Sequence, residues 1–204
     1  MSGTLLALLC TPNLFRLRPE FEPHIRTLVD HIVTKQSSDG SYITNISDPN
    51  RDPVNWSEGS AGVCYLIAKA YMLWNDENYK KSLLNCGEYL WKRGISKNGV
   101  GIANGMAGIG YAFLTIYRAL GQQKYLNRAK RFALHMFDEE YQNLCNKSNR
   151  PYSLYEGWAG VVCYLVALMD PLNAVQPLFF NIFYREEPEM TEDIEEYLSD
   201  DQQK

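Results

Sequence analysis

The chain has 204 residues, 46% of them hydrophobic, a net charge of −4, fourteen tyrosines and five cysteines. That length supports one sizeable core, or two at most. No apolar run is long enough to span a bilayer, and the basic residues lie scattered with no stripe of the kind nucleic acid needs.

In chain order, the opening MSGTLLALLC carries a short apolar run with its basic residues after it, so it does not read as a secretory signal. Residues 21–36 form an amphipathic helix with Ile25, Leu28, Val29 and Ile32 on one stripe. SSDGSYITNISDPNRDP is loop. Two helices follow, an apolar one over 61–74 and an amphipathic one over 79–94. After the loop ISKNGVGIAN the pair recurs, apolar over 107–120 and amphipathic over 123–138. A third loop leads into an apolar helix over 159–170. Each apolar helix is expected to be buried on all sides, and each amphipathic partner to show one face to solvent. From Glu186 the chain carries nine acids against one lysine, a net of −8, so the preceding 185 residues sum to +4 against the whole chain's −4. Such a run lacks the apolar surface to offset ordering and reads as a disordered acidic tail.

The starts of the apolar helices repeat one phrase. Aligning Glu58, Asn104 and Glu156 gives E-G-S-A-G, N-G-M-A-G and E-G-W-A-G at separations of 46 and 52 residues. A period of this length means stacked helical hairpins. Small residues at each start let neighbouring helix ends crowd round an axis, with the side chains at 58, 104 and 156 facing the shared centre. The expected fold is all-α, a partial α/α toroid of inner and outer helices, with an ordinary open helical array as the alternative, since three repeats alone do not prove closure.

The wider text resembles the C-terminal half of lanthionine synthetase C-like (LanC-like) proteins, most of all the eukaryotic ones. Trp56-Ser57-Glu58-Gly59-Ser60-Ala61-Gly62 stands against that family's W-C-H-G-A-P-G. Gly101-Ile102-Ala103-Asn104-Gly105-Met106-Ala107-Gly108, followed by Tyr111-Ala112-Phe113-Leu114, stands against G-x-C-H-G-x-A-G-x-x-Y-A-F-L. Ser153-Leu154-Tyr155-Glu156-Gly157-Trp158-Ala159-Gly160 matches S-L-F-E-G-x-A-G. The resemblance covers roughly residues 20–180. It implies a toroid of the six- or seven-hairpin, glycosidase-like kind, divided here into a remnant of an upstream helix (1–20), a partial toroid domain (21–183) and the acidic tail (184–204). A full ring needs more hairpins than this chain supplies, which raises the expectation of an exposed toroid edge and a homodimer through it.

The chemistry implied by the resemblance is zinc-dependent addition of a thiol, glutathione in the eukaryotic members, to dehydroalanine or dehydrobutyrine residues. One cysteine from the first motif and a Cys-His pair from the second hold the zinc, and a histidine beside the first cysteine does acid–base work. These positions fall on Ser57, Ala103, Asn104 and, for the histidine, Glu58. Hydroxyl, methyl and carboxamide groups are poor or null donors for zinc, so no cofactor is expected. Cys64 and Cys163, on inner helices, are core thiols or the first candidates for a replacement metal site. His24, His31 and His135 lie on the amphipathic helices and read as surface or interface residues. Lys97 and Arg150 are candidate anchors for glutathione or an anionic peptide, against the plainer reading of solvated loop charge.

Four readings follow. The first is a degenerate, zinc-less LanC-like protein that binds a protein or peptide. The second is a carbohydrate-active toroid using Glu58 and Glu156 as paired carboxylates, although Glu156 also reads as a structural cap. The third is retained thiol addition by a metal-free route or with a partner-supplied half, and the fourth a non-functional fragment. Nucleic acid and membrane are not expected partners. Widely spaced cysteines in apolar company suit free thiols in the cytoplasm.

Overall fold

The computed structural model describes residues 1–42, 54–95, 99–139, 143, 150–177 and 182–183. Its named elements are helices: α1 (Ser2–Leu9), α2 (Leu14–Leu17), α3 (Phe21–Val33), α4 (Ser60–Trp74), α5 (Glu77–Arg93), α6 (Met106–Leu120), α7 (Gln123–His135) and α8 (Trp158–Met169). The acidic tail and Lys97 lie outside the described residues.

The helices alternate between two layers. In the inner layer α1, α4, α6 and α8 pack side by side in chain order. In the outer layer α3 packs on α1 and α4, α5 on α4 and α6, and α7 on α6 and α8. Each outer helix thus bridges two inner ones, which makes the fold all-α and an arc of an α/α toroid.

The sequence accounts for this layering. The segment SAGVCYLIAKAYMLW of α4 buries ten of its residues, Ser60–Ala61 and Val63–Ala70, all small, apolar or aromatic except Lys69. Helix α6 buries an unbroken run from Met106 to Ile116. Neither has a polar face, so each is stable only with neighbours on every side. In α5 the buried residues fall at Tyr79, Ser82–Leu83, Cys86–Gly87 and Tyr89–Leu90, the three- and four-residue steps of a one-sided helix. It starts at Glu77, two residues before the expected position, because the Asp76 carboxylate accepts from the Asn78 N–H at 2.9 Å and caps it.

Ion pairs clip the outer layer together. Arg128 on α7 holds Glu88 on α5 through two bonds of 2.9 and 2.8 Å and lies over the rings of Trp91 and Tyr125. Arg128 and Lys124 hold the Glu88 carboxyl below its usual range. Arg26 on α3 reaches Asp76 at 2.9 Å, and Trp74 donates to Glu22 at 2.7 Å.

Two expectations need correction. Helix α8 is not buried on all sides: Val162, Val166 and Met169 are 57, 59 and 84% exposed. They lie at four- and three-residue steps on one face. Val161, Tyr164 and Ala167 are buried on the opposite side, where α6 and α7 lie. The composition of α8 is that of an inner helix, but burial depends on neighbours, and its outer flank has none among the described residues. Leu28 likewise leaves the predicted stripe. It is 45% exposed, while α3 seats Ile25, Val29 and Ile32.

Candidate functional site

The three repeated phrases come together at one end of the inner layer, and their backbones fold alike. The N–H of Ala61 reaches the Val54 carbonyl at 3.2 Å, that of Ala107 reaches Val100 at 3.0 Å, and that of Trp158 reaches Pro151 at 2.7 Å. In every case the first turn of an inner helix is capped by a carbonyl seven residues earlier. The loop thereby satisfies donors that a helix start leaves open. The second glycine of each phrase makes this fold-back possible. A methyl group added at Gly62, Gly108 or Gly160 would fall on the carbonyl oxygen of Trp56, Ile102 or Leu154, each six residues before it. Any other residue there would push the loop off its own helix.

The loops are also tied to one another. The Ser57 N–H donates to the Ala103 carbonyl at 3.0 Å, and the Ala103 N–H donates to the Tyr155 carbonyl at 2.8 Å. Gly101 lies so close to Tyr155 and Glu156 that a methyl group would meet their backbone. The Trp56 and Tyr155 rings stack with centroids 5.8 Å apart and planes 17° from parallel. The second loop therefore lies between the first and third, and the three form one continuous surface.

Ser57, Ala103 and Asn104, the positions at which the resemblance implies metal ligands, are brought together by these bonds. The Ser57 hydroxyl donates to the Asn104 side-chain oxygen at 2.6 Å. The donor set is one hydroxyl, one methyl group and one carboxamide, with the first and last satisfying each other. This does not fit zinc, which takes thiolate, imidazole or carboxylate. No group of three or more metal-binding side chains occurs among the described residues.

Ser57 and Glu58 line an open cleft of about 360 Å³ with Trp56, Gly59, Gly62 and Val63, and Met1 and Ser2 also border it. Glu58, Asn104 and Glu156 are all exposed at this end. Glu58 and Glu156 sit on the outer two loops with the Ala103–Asn104 loop between them. The Glu156 N–H donates to the Ser153 hydroxyl oxygen at 2.9 Å. Arg150 is exposed, and its carbonyl accepts from the Ser153 N–H at 3.1 Å.

The other candidates lie away from the loops. His24 and His31 are exposed on α3, and His135 pairs with Asp138 at 3.0 Å, as expected of the outer layer. Cys163 is half-buried on α8. Cys64 is fully buried and meets Cys86 of α5, with the two sulfurs 3.0 Å apart. Sequence reading missed this pairing, although the inward position of Cys86 at the three- to four-residue step of α5 was a usable signal.

The family model described as "Lanthionine synthetase C-like protein" matches residues 1–183. The chain is 32% identical over 155 residues to "Glutathione S-transferase LANCL1" of Danio rerio, covering 76% of this chain and 38% of that protein. It is 34% identical over 142 residues to "LanC-like protein GCL1" of Arabidopsis thaliana, covering 68% of this chain and 33% of that protein. These are features of a helical-toroid class built from repeated hairpins. The chain belongs to the LanC-like family, and it spans about a third of the length of the curated relatives it matches.

Proposed function

We propose that this chain is a LanC-like protein that retains the family's loop surface as a binding site for a peptide or protein segment, without zinc-activated thiol chemistry. The observation that carries the reading is the 2.6 Å hydrogen bond from Ser57 to Asn104. Two positions that would present metal donors are instead satisfied by each other, and the third is alanine. Around them the loop architecture is intact, and the adjoining cleft has the volume of a small-molecule or side-chain pocket. Free thiols at Cys10, Cys64, Cys86 and Cys163 suit a cytoplasmic setting.

The test uses a fluorescent peptide containing dehydroalanine, with and without glutathione. Saturable binding is expected, lost when Ser57→Trp fills the cleft, with no glutathione adduct by mass spectrometry. Adduct formation at a rate above the protein-free control would overturn the reading.

The name of the Danio rerio relative favours a second reading, glutathione addition to dehydrated residues. It requires a thiol activated by something other than the family's donor set, and the same adduct measurement decides between the two. Use of Glu58 and Glu156 as a carbohydrate-cleaving pair would need their carboxyl groups roughly 5 to 10 Å apart in an open cleft.

Self-association belongs to the first reading. The exposed stripe Val162, Val166 and Met169 on α8 is apolar and continuous at helical spacing, and a second copy is the partner proposed for it. Light scattering should show a dimer that Val166→Glu dissociates. A monomer at high concentration would remove the proposal.

A further inference from the structure

Cys64 and Cys86 belong to different layers, on α4 and α5, and are 22 residues apart in sequence. Their sulfurs are 3.0 Å apart, about 1 Å more than the roughly 2.0 Å of a disulfide bond. Both side chains are wholly buried. The Cys86 thiol donates to the Ser60 carbonyl at 3.4 Å, so Cys64 is left to donate to the Cys86 sulfur. Around the pair, the Tyr42 N–H donates to the Ser60 hydroxyl at 2.9 Å and the Tyr42 hydroxyl bonds that of Ser82 at 2.6 Å. These contacts tie the residue that covers the pair, Tyr42, to both helices. Burial, followed by the contact with Cys86, pushes the Cys64 thiol well above its ordinary range. The closed structure therefore keeps the Cys64 sulfur protonated, and burial makes both sulfurs slow to react.

We propose that Cys64 and Cys86 are a disulfide-forming site, whose oxidation cross-links the inner helix α4 to the outer helix α5 directly beneath the first motif loop. With oxidised glutathione as the oxidant, one protein thiol loses its proton and attacks a glutathione sulfur. A mixed disulfide forms, and one glutathione leaves as thiolate. The second protein thiol, also deprotonated, attacks the protein sulfur of that mixed disulfide and expels the second glutathione. The protein sulfurs give up two electrons, and the two protons end on the two released glutathione thiols.

The attack occurs in a state where α5 has opened from α4, because the closed core excludes glutathione. The closed fold then favours the bonded product by holding the two sulfurs together, an effective-concentration advantage that the unfolded chain lacks. The consequence lies at Ser60, the first residue of α4 and two positions after Glu58. Once Cys86 loses its hydrogen, the Ser60 carbonyl loses that donor, and the start of α4 becomes covalently anchored through the layer below.

The test equilibrates the full chain in a buffer of reduced and oxidised glutathione, approached both from the native protein and from urea-unfolded protein. A parallel sample remains in urea. All are quenched with an alkylating agent and mapped by peptide mass spectrometry. The expected result is a Cys64–Cys86 cross-linked peptide in the folded samples at about tenfold or more above the urea sample, absent in Cys64→Ser and in Cys86→Ser. A cross-link no more abundant in the folded samples than in urea, or one joining Cys64 or Cys86 to another cysteine, would overturn the proposal.

Discussion

The glycine frame of the three motif loops and the slots beside those glycines are under different physical constraints in this chain. In the frame, Gly62, Gly108 and Gly160 each sit against a carbonyl six residues earlier, and the helix starts are capped by carbonyls seven residues earlier. In the slots, Ser57, Ala103 and Asn104 occupy the positions that family resemblance assigns to metal donors, and two of them bond each other. The frame is constrained by sterics that tolerate no additional carbon. In the slots Ser57 and Asn104 face solvent, where a change of side chain costs the fold little. Scaffold and chemistry are separable here because they are written in different residues of the same seven-residue phrase.

The largest effect that would sharpen this contrast is at the frame. Gly108→Ala places a methyl group on the Ile102 carbonyl and against Trp56, so the loop must move away from the start of α6. A loss of about 3 kcal/mol or more in urea unfolding is expected, in line with other overpacked core sites. Ser57→Ala, in a slot of the neighbouring loop, removes one exposed hydrogen bond and should cost under about 1 kcal/mol. Comparable losses for the two would break the distinction.

An intermediate effect is expected where an inner helix meets the outer layer. The Tyr164 hydroxyl donates to the Ala129 carbonyl at 2.6 Å in a fully buried position, so Tyr164→Phe should cost about 1–3 kcal/mol by thermal or urea unfolding. The smallest effect belongs to the outer clip. The hydrogen bonds from Arg128, then Lys124, lower the folded-state pKa of Glu88. Its contribution to stability is present above the unfolded value of roughly 4.3 and is lost as pH falls through the lower folded value. Glu88→Gln should therefore be less stable than the parent near neutral pH, and that difference should shrink as the solution is acidified below the unfolded value. A difference independent of pH would mean that the ion pair is not its source.

Much of this was legible before any coordinates. Six helices follow from three- and four-residue apolar steps and from the turn-rich text between them, and the repeated glycines disclose both the hairpin period and the crowding of loop ends. What local pattern could not show is what each helix meets. The exposure of Val162, Val166 and Met169 comes from the neighbours of α8, since its composition matches that of α4. Leu28 fits a helical stripe in sequence, but α3 seats only the adjoining positions. The Cys64–Cys86 contact depends on the rotation of two helices about their axes, which residue spacing restricts without fixing. At the site, the donor substitutions were readable from the motif alignment, while the hydrogen bond that joins Ser57 to Asn104 required the backbone link between Ser57 and Ala103.

The most direct test of the central claim is zinc content by elemental mass spectrometry, on the tag-free protein and on the triple variant Ser57→Cys, Ala103→Cys, Asn104→His. Because the frame already brings these positions together, the variant should hold about one zinc per chain and the parent almost none. Zinc at about one per chain in the parent would contradict the account. An empty variant would show that the frame no longer holds the three positions as a metal site, and the separation of scaffold from chemistry would fail.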